Sequence, residues 1–588
     1  MNRPETIVRQ ILAGRGILAD EAAAEYLTDQ PKETHDPFLL PDMEAGVDLL
    51  FAALKGGRRI CVYGDYDADG LTATALLVRF LRAAAARLAG AGGAGVAAAD
   101  ASAANADAGQ GVPGAVIDYY IPSRFEEGYG LNADAVRTIA AAGTELLITV
   151  DCGSVSPAET ALARELGMDT LVTDHHDCNA ENLFGGLVIN PKRPDSAYPF
   201  PLLSGCGVAF KLAQALLKRH FPGDEGLRAV QNSMLDLVAI ATVADVVPLT
   251  GENRTLVKYG LKAIRAGKRR ALARLVQAIG LAQAEVSAYN IAFGIAPHIN
   301  ASGRLAEARP VVELLLTDDV ARMDAISKEL VVKNLARREI QEELYARCVE
   351  EIDAGPRTDL FLLMHPAGVH EGIAGIVAGK LKSRYHRPAA VLAETEGSEA
   401  ADGAAGTGGG LLKGSCRSIA GVDIIAMLRR HGALFTRLGG HPMAAGFTLP
   451  AENETALREA LNAEMQAAVA ADPSILEPDE KPEWTLAPGE ATLELAALLE
   501  AFEPTGAANP KPLFELPNAE VTAFSRMGKD GKHARFTARQ TGVPCVAFSV
   551  DELAPGLEDG TRVTLWGHLE IDRFRGKENL QFLVRRIL

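Results

Sequence analysis

From Arg59 onward the chain repeats one pattern: a short unbroken apolar run, a turn, then a stretch with apolar residues every three to four positions. The runs are Ile60–Tyr63, Val116–Ile121, Leu146–Val150, Thr170–Thr173 and Leu187–Ile189; Thr72–Ala86, Ala133–Ala142 and Ala158–Leu166 are the helical stretches between them. Continuous apolar strands alternating with helices predict an α/β fold with a parallel sheet covered on both faces, over residues 51–317. Residues 1–50 read as a small helical cap. Residues 318–354 are charged on a helical period and predict a connector helix. A smaller α/β unit follows at 355–471, with strand Leu360–Met364, helix Gly372–Ser383 and strand Ala389–Leu392. The acidic, proline-containing 472–490 reads as a linker. From 515 to 588, β-branched and aromatic residues punctuated by turns such as Lys529-Asp530-Gly531-Lys532 predict a small β-barrel. Ala/Gly-rich inserts at 83–114 and 395–410 carry too little apolar surface to order themselves.

Composition narrows the class. With 588 residues the chain exceeds one core, and 48% hydrophobic with 23% charged residues is ordinary for a globular protein. A net charge of −17 argues against indiscriminate nucleic-acid binding but permits a local basic channel. Residues 521–588 show one, with 11 Lys+Arg against 8 Asp+Glu. There Arg526, Lys529, Lys532, Arg535, Arg539, Arg573, Arg575 and Lys577 are interleaved with Phe524, Phe536 and Phe574. That mixture suits a single-strand groove; solvated strand faces around a Phe core are the competing reading. The cluster Lys268-Arg269-Arg270 reads as a solvated face. Seven cysteines without a CxxC pair point to reduced thiols and a cytoplasmic protein. Neither a secretory signal nor a membrane span is expected.

The chemistry lies just past the strands, where open parallel sheets gather functional groups. Asp65, Asp67 and Asp69 follow the first run, Asp151 follows Leu146–Val150, and Asp174, His175 and His176 follow Thr170–Thr173. Asp245 closes a fourth apolar run that begins at Ala239. One such Asp is an ordinary helix cap or Asx-turn. Four arrivals at one sheet edge are not. Converging carboxylates repel unless cations sit among them. Oxygen and imidazole donors suit Mn²⁺ or Mg²⁺ better than a thiolate zinc site, and two ions about 3.5–4 Å apart fit phosphoester hydrolysis.

These residues resemble the DHH phosphoesterase superfamily. Gly64-Asp65-Tyr66-Asp67-Ala68-Asp69-Gly70 matches its first motif, Val150-Asp151-Cys152-Gly153 the second, and Asp174-His175-His176 the motif that names it. Thr242-Val243-Ala244-Asp245 matches the fourth, and Asn300-Ala301-Ser302-Gly303-Arg304 a further one. The second unit is similar to the family's DHHA1 domain at His370-Glu371-Gly372, Ser415-Cys416-Arg417 and Gly439-Gly440-His441. Phe502-Glu503-Pro504 through Asn509-Pro510 resembles the approach to a C-terminal OB-like domain.

The resemblance implies a single-strand-specific 5′→3′ exonuclease of DNA recombination and repair that releases 5′-mononucleotides with two Mn²⁺ or Mg²⁺ ions. Asp65, Asp67, Asp69, Asp151, His175 and Asp245 would hold metal, with Asp151 as the bridge and Asp65 ligating or orienting. Catalysis would rest on Asp151, Asp174, His175 and His176, the last contacting the scissile phosphate or protonating the leaving oxygen. Arg304, His370 and His441 would bind substrate, and Arg124, Ser415 and Arg417 would grip a 5′-terminal phosphate. Single-stranded DNA, a single-strand-binding protein and a RecQ-type helicase are the implied partners of a monomer. Many family members carry His where this chain has Tyr63, so one metal shell is expected to differ. A phosphodiesterase of short oligoribonucleotides or cyclic dinucleotides is a rival reading that the C-terminal barrel disfavours. An inactive binding scaffold is another, disfavoured because all the acids are present.

Overall fold

The computed structural model describes residues 3–90, 114–178, 185–355, 358–394, 410–478, 480–574 and 576–588. The chain divides into two compact units: Met1–Gly303 with Glu307–Leu330 and Lys481–Leu588, and Arg304–Ala306 with Val331–Glu480.

In the first unit, β1 (Arg59–Gly64), β2 (Val116–Tyr120), β3 (Leu146–Val150), β4 (Asp169–Thr173) and β5 (Leu187–Ile189) form a parallel sheet of order β2-β1-β3-β4-β5. Every residue of β3 is buried, which is why that run has no polar alternation. The helices Met43–Lys55, Ala68–Leu88, Gly205–His220 and Leu235–Ala244 contribute Val47, Leu76, Leu212 and Ile240 to the same core. In this order the strand sequence reverses between β1 and β3, the point beyond whose carboxyl ends open parallel sheets place their sites.

Three expectations need correction. The apolar run before Asp245 is the helix Leu235–Ala244, not a strand: it is buried on all sides, so it has lost the one-faced period by which a helix is recognised. The helix Ala68–Leu88 continues past residue 83, because its Ala-rich end still buries Ala84 and Ala85; 91–113 and 395–409, the bulk of both inserts, lie outside the described residues. The first fifty residues are not a separate cap. Arg3–Gly14 and Asp20–Leu27 bury Ile7, Val8, Ile11, Leu12 and Ala23 in the barrel core, whereas Met43–Lys55 packs on the sheet. A twelve-residue amphipathic helix cannot cover its own apolar face, and these two take the nearest free core.

That barrel belongs to the first unit. β12 (Phe514–Met527), β13 (His533–Ala538), β14 (Val543–Ala547), β16 (Lys577–Ile587) and β15 (Arg562–Phe574) close through β12–β15 pairing, an OB-like architecture. β11 (Trp484–Thr485) adds to β12 in parallel, so the barrel begins inside the stretch read as a linker.

The second unit holds β6 (Leu362–Met364), β7 (Ala389–Glu394), β8 (Leu411–Arg417), β9 (Arg437–His441) and β10 (Ala444–Pro450), in the order β6-β7-β8-β10-β9. The helix Glu371–Tyr385 packs on β7 and β8. The long helix Val320–Ala354 runs from one unit into the other, as the connector expectation required.

Candidate metal centre

Asp65 and Asp67 leave the end of β1, and Asp67 caps the next helix by accepting from the amides of Asp69 and Gly70 (2.9 and 3.1 Å). Capping fixes the turn, so Asp69 enters the first helical turn aimed inward. Its carboxylate accepts from the backbone N–H groups of Gly205 and Cys206, both at 2.7 Å, at the positive end of the helix Gly205–His220. A side chain at Gly205 would place Cβ 2.5 Å from Asp151 Oδ1, so only glycine lets that helix approach. Asp151 follows β3 at φ 62°, a left-handed conformation that costs a non-glycine residue energy and persists where the surroundings enforce it.

These residues meet. Asp65, Asp67 and Asp151 place ligand atoms within 4.8 Å of one another, as do Asp69, His175 and Asp245, and Asp151, His175 and His176. His175 Nε2 lies 3.1 Å from Asp151 Oδ1, 3.6 Å from Asp245 Oδ2 and 3.8 Å from Asp69 Oδ2. Yet His175 Nε2, Asp151 Oδ1 and Asp65 Oδ1 are buried without a hydrogen-bond partner. Orphaned buried polar atoms are rare because each costs about 1–3 kcal/mol. Their convergence from three strand ends is what a divalent cation would satisfy.

Electrostatics agree. Burial, then neighbouring carboxylates, push Asp65, Asp69 and Asp151 well above the usual range, and burial and Asp67 raise Asp245 to about 7. Burial, with His176 beside it, pulls His175 down to about 3, so a neutral imidazole is available to a metal. His176 is the opposite case. Burial lowers it, but Asp174, 2.8 Å from Nδ1, outweighs this and holds it at about 9.

Asp174 lies outside the three ligand groups. It accepts from the amides of Ser154, His175 and His176 and from the His176 ring, so it orients the two histidines and holds the charge on one of them. Tyr63 turns away: its buried hydroxyl donates to the Gly130 carbonyl at 2.8 Å, and it belongs to none of the three ligand groups. Arg124 stacks over Tyr66 at 5.3 Å.

The remaining predicted residues sit in the second unit. Arg304 Nη1 donates to Gly372 O (2.9 Å) and the His370 ring accepts from the Gly372 amide (3.2 Å), both at the N-terminus of the helix Glu371–Tyr385. Arg417 and Ser415 lie against Gly375, where a Cβ would come within 2.9 and 2.7 Å of them. A helix N-terminus, a guanidinium and a hydroxyl are groups that an anion site would use. Arg417 and His441 both pair with Ala444 across β8, β10 and β9, so one cross-strand row carries both.

Sequence reasoning missed the Gly205 and Cys206 amides, Tyr129 (hydroxyl 3.1 Å from a His176 ring nitrogen) and Asn190 (donating to His176 O), while Asn300, quoted within a motif, accepts from the Ala68 amide. Only Ser204-Gly205-Cys206-Gly207, a capped glycine-rich helix start, carried a readable signal.

Sequence profiles of known families match three segments: the DHH family, N-terminal domain, over residues 59–242; the DHHA1 domain over 358–467; and the RecJ OB domain over 483–586. The chain is 32% identical over 603 residues to the single-stranded-DNA-specific exonuclease RecJ of Escherichia coli (strain K12), spanning 99% of this chain and 95% of that one. To the protein of the same name from Bacillus subtilis (strain 168) it is 32% identical over 585 residues, 98% of this chain and 67% of the relative. The crystal structure of RecJ in complex with Mn²⁺ from Thermus thermophilus superposes with a TM-score of 0.76 at 29% identity, over 98% of this chain and 75% of that one.

Proposed function

This chain belongs to the RecJ family of single-stranded-DNA-specific exonucleases, and from that premise we infer that it is a metal-dependent exonuclease of single-stranded DNA, acting in recombination and repair. It uses Mn²⁺ or Mg²⁺, the ions held by its Thermus relatives. The observation that carries the reading is the convergence of Asp65, Asp67, Asp69, Asp151, His175 and Asp245 with buried ligand atoms left unpartnered.

We propose that these six residues hold two ions, with Asp151, common to two of the ligand groups, as the bridge. Bound there, the metal would neutralise phosphate charge and lower the pKa of water toward about 7. The chain does the rest. Asp174 keeps His176 protonated, so that its ring donates to the scissile phosphate or to the leaving 3′-oxygen. The Gly205 and Cys206 amides keep Asp69 aimed at the centre. Arg417, Ser415 and the helix start at Gly372 grip a terminal phosphate, and Arg304, His370, His441 and Arg124 bind further substrate groups. A grip on the 5′ phosphate sets 5′→3′ polarity and mononucleotide release. The match to the RecJ OB domain favours long strands over short oligonucleotides or cyclic dinucleotides. The proposal includes a cytoplasmic monomer with a single-strand-binding protein and a RecQ-type helicase as partners; the relatives' shared name supports only the single-stranded DNA substrate. No helix among the described residues is long and apolar enough to cross a membrane.

The test uses single-stranded DNA labelled at either end, with duplex and RNA controls, Mn²⁺, and the wild type beside Asp151→Ala. Mononucleotides released from the 5′ end by the wild type alone are expected. Cleavage restricted to di- to tetranucleotides, or binding without hydrolysis, would overturn the reading.

A further inference from the structure

Large aromatic side chains rarely stand together in solvent. Tyr289 and Phe293 do: they are 66% and 71% exposed, with ring centroids 4.7 Å apart. The cause lies in the backbone. The helical turn Ala288–Asn290 runs into a π-helical turn, Ile291–Ile295, and on into the helix Ala296–Leu305. Pro297 has no N–H to give the Phe293 carbonyl, so the helix widens: the Ala296 amide reaches back five residues to Ile291 O, and the His298 ring bonds Gly294 O at 2.6 Å. Ile291 and Ile295 remain in the core while Tyr289 and Phe293 point out.

Two neighbourhoods say what this face could hold. At one end, Arg265 Nε donates to Val286 O (2.8 Å), three residues before Tyr289, and the Gln283 side chain bonds Ile264 O. This ties the aromatic segment to the exposed Arg265 and Lys268, neither of which has a carboxylate partner among the described residues. Exposed cations without a carboxylate partner, near a tilted pair of exposed aromatics in a chain of net charge −17, are complementary to a polyanion with flat bases. At the other end, Asn300 accepts from the Ala68 amide inside the metal-ligand turn (2.7 Å), and a Cβ on Gly303 would lie 2.6 Å from Tyr66 O. Seven residues of helix separate Phe293 from Asn300, about 10 Å, or one to two nucleotides of extended strand.

We propose that Tyr289 and Phe293, flanked by Arg265 and Lys268, form a stacking platform for bases of the single strand beyond the nucleotide being cleaved. The proposal rests on the single-strand substrate inferred above and adds a contact surface to it. The platform raises affinity for long strands and leaves the chemical step alone.

The experiment compares the full-length wild type with a Tyr289→Ser/Phe293→Ser double variant, in Mn²⁺, on 5′-phosphorylated thymidine oligonucleotides of three and twenty residues. KM for the twenty-mer should rise roughly tenfold with kcat unchanged, while the trimer's KM stays put. Arg265→Gln/Lys268→Gln should flatten the salt dependence of twenty-mer binding by one to two contacts. An unchanged twenty-mer KM overturns the proposal and leaves a protein partner as the occupant of this face. Should the double variant lose turnover on both lengths, Phe293→Trp decides: in chelator, its added emission should change on titration with the twenty-mer, and no change overturns the proposal. That titration needs no hydrolysis. A strand that binds at position 293 but is never cut in Mn²⁺ would remove the exonuclease reading and leave the platform standing.

Discussion

The metal centre and the C-terminal barrel both announce themselves in the sequence as concentrations of charge, yet the fold treats them oppositely. At the centre, carboxylates gather with Asp65, Asp69 and Asp151 buried, and one oxygen each of Asp65 and Asp151 has no hydrogen-bond partner. On the barrel, Arg526 makes a bidentate pair with Asp551, Arg539 pairs with Glu520, and Arg573 bridges Glu500 and Glu578, all in solvent. Phe536 belongs to the barrel core and Phe524 packs against it; Arg575 lies outside the described residues. Exposed neutralised charge is nearly silent energetically, whereas buried unneutralised charge is costly and persists where something must be held. The lesson is to ask of each charge whether the fold has already answered it.

The sharpest way to break this comparison is at Asp151. Alanine there should reduce nuclease activity by roughly three orders of magnitude or more if Asp151 is the shared ligand proposed above. Chelated Asp151→Asn should nevertheless melt at or above the chelated wild type, since one repelling carboxylate has been removed; a lower melting point would contradict the idea that the centre is strained without cations. The pH dependence follows from the same residues. Folding raises the carboxyls of Asp65, Asp69, Asp151 and Asp245, so the native chelated state retains protons that the unfolded chain releases. Between about pH 4 and about pH 7 its stability should therefore fall as pH rises, and Mn²⁺ should flatten the slope. Thermal melts at stepped pH, with and without the ion, measure this.

Smaller effects come next. Asp174→Asn leaves the ligand groups in place but loosens both histidines; a loss of about 10–100-fold is expected, with Mn²⁺ affinity, read by calorimetry, falling too. In the second unit, Arg417→Ala should cost roughly tenfold in kcat/KM on 5′-phosphorylated strands and little on 5′-hydroxyl ones. Equal losses on both would remove Arg417 from phosphate recognition. At the bottom of the scale, Arg526→Gln and Arg539→Gln should change strand affinity by less than about threefold. A larger loss would show that these paired cations open to bind DNA.

Legibility followed the same division. Asp65, Asp67, Asp69 and Asp151 were readable because strands deliver their last residues to one edge, and a strand is short enough to mark its own end. Asp245 joins a candidate ligand group from an element the sequence disguises, since a fully buried helix such as Leu235–Ala244 carries no period. The amides of Gly205 and Cys206 were invisible because backbone donors leave no side-chain signature. The pairing of barrel cations was hidden for another reason: Arg526 meets Asp551, and Arg573 meets Glu500, only once strands are in register. The clustering of Arg304, His370, Ser415 and Arg417 came from motif resemblance, not from spacing, because four distant segments build it.

The two helices at Arg3–Gly14 and Asp20–Leu27 find their core among strands that begin at Trp484. During synthesis at about 5–20 residues per second, Ile7, Val8, Ile11 and Leu12 therefore stay uncovered for roughly half a minute to two minutes. Until those strands exist, the apolar faces of both helices have no core to enter, so the barrel closes only when two stretches far apart in the chain meet.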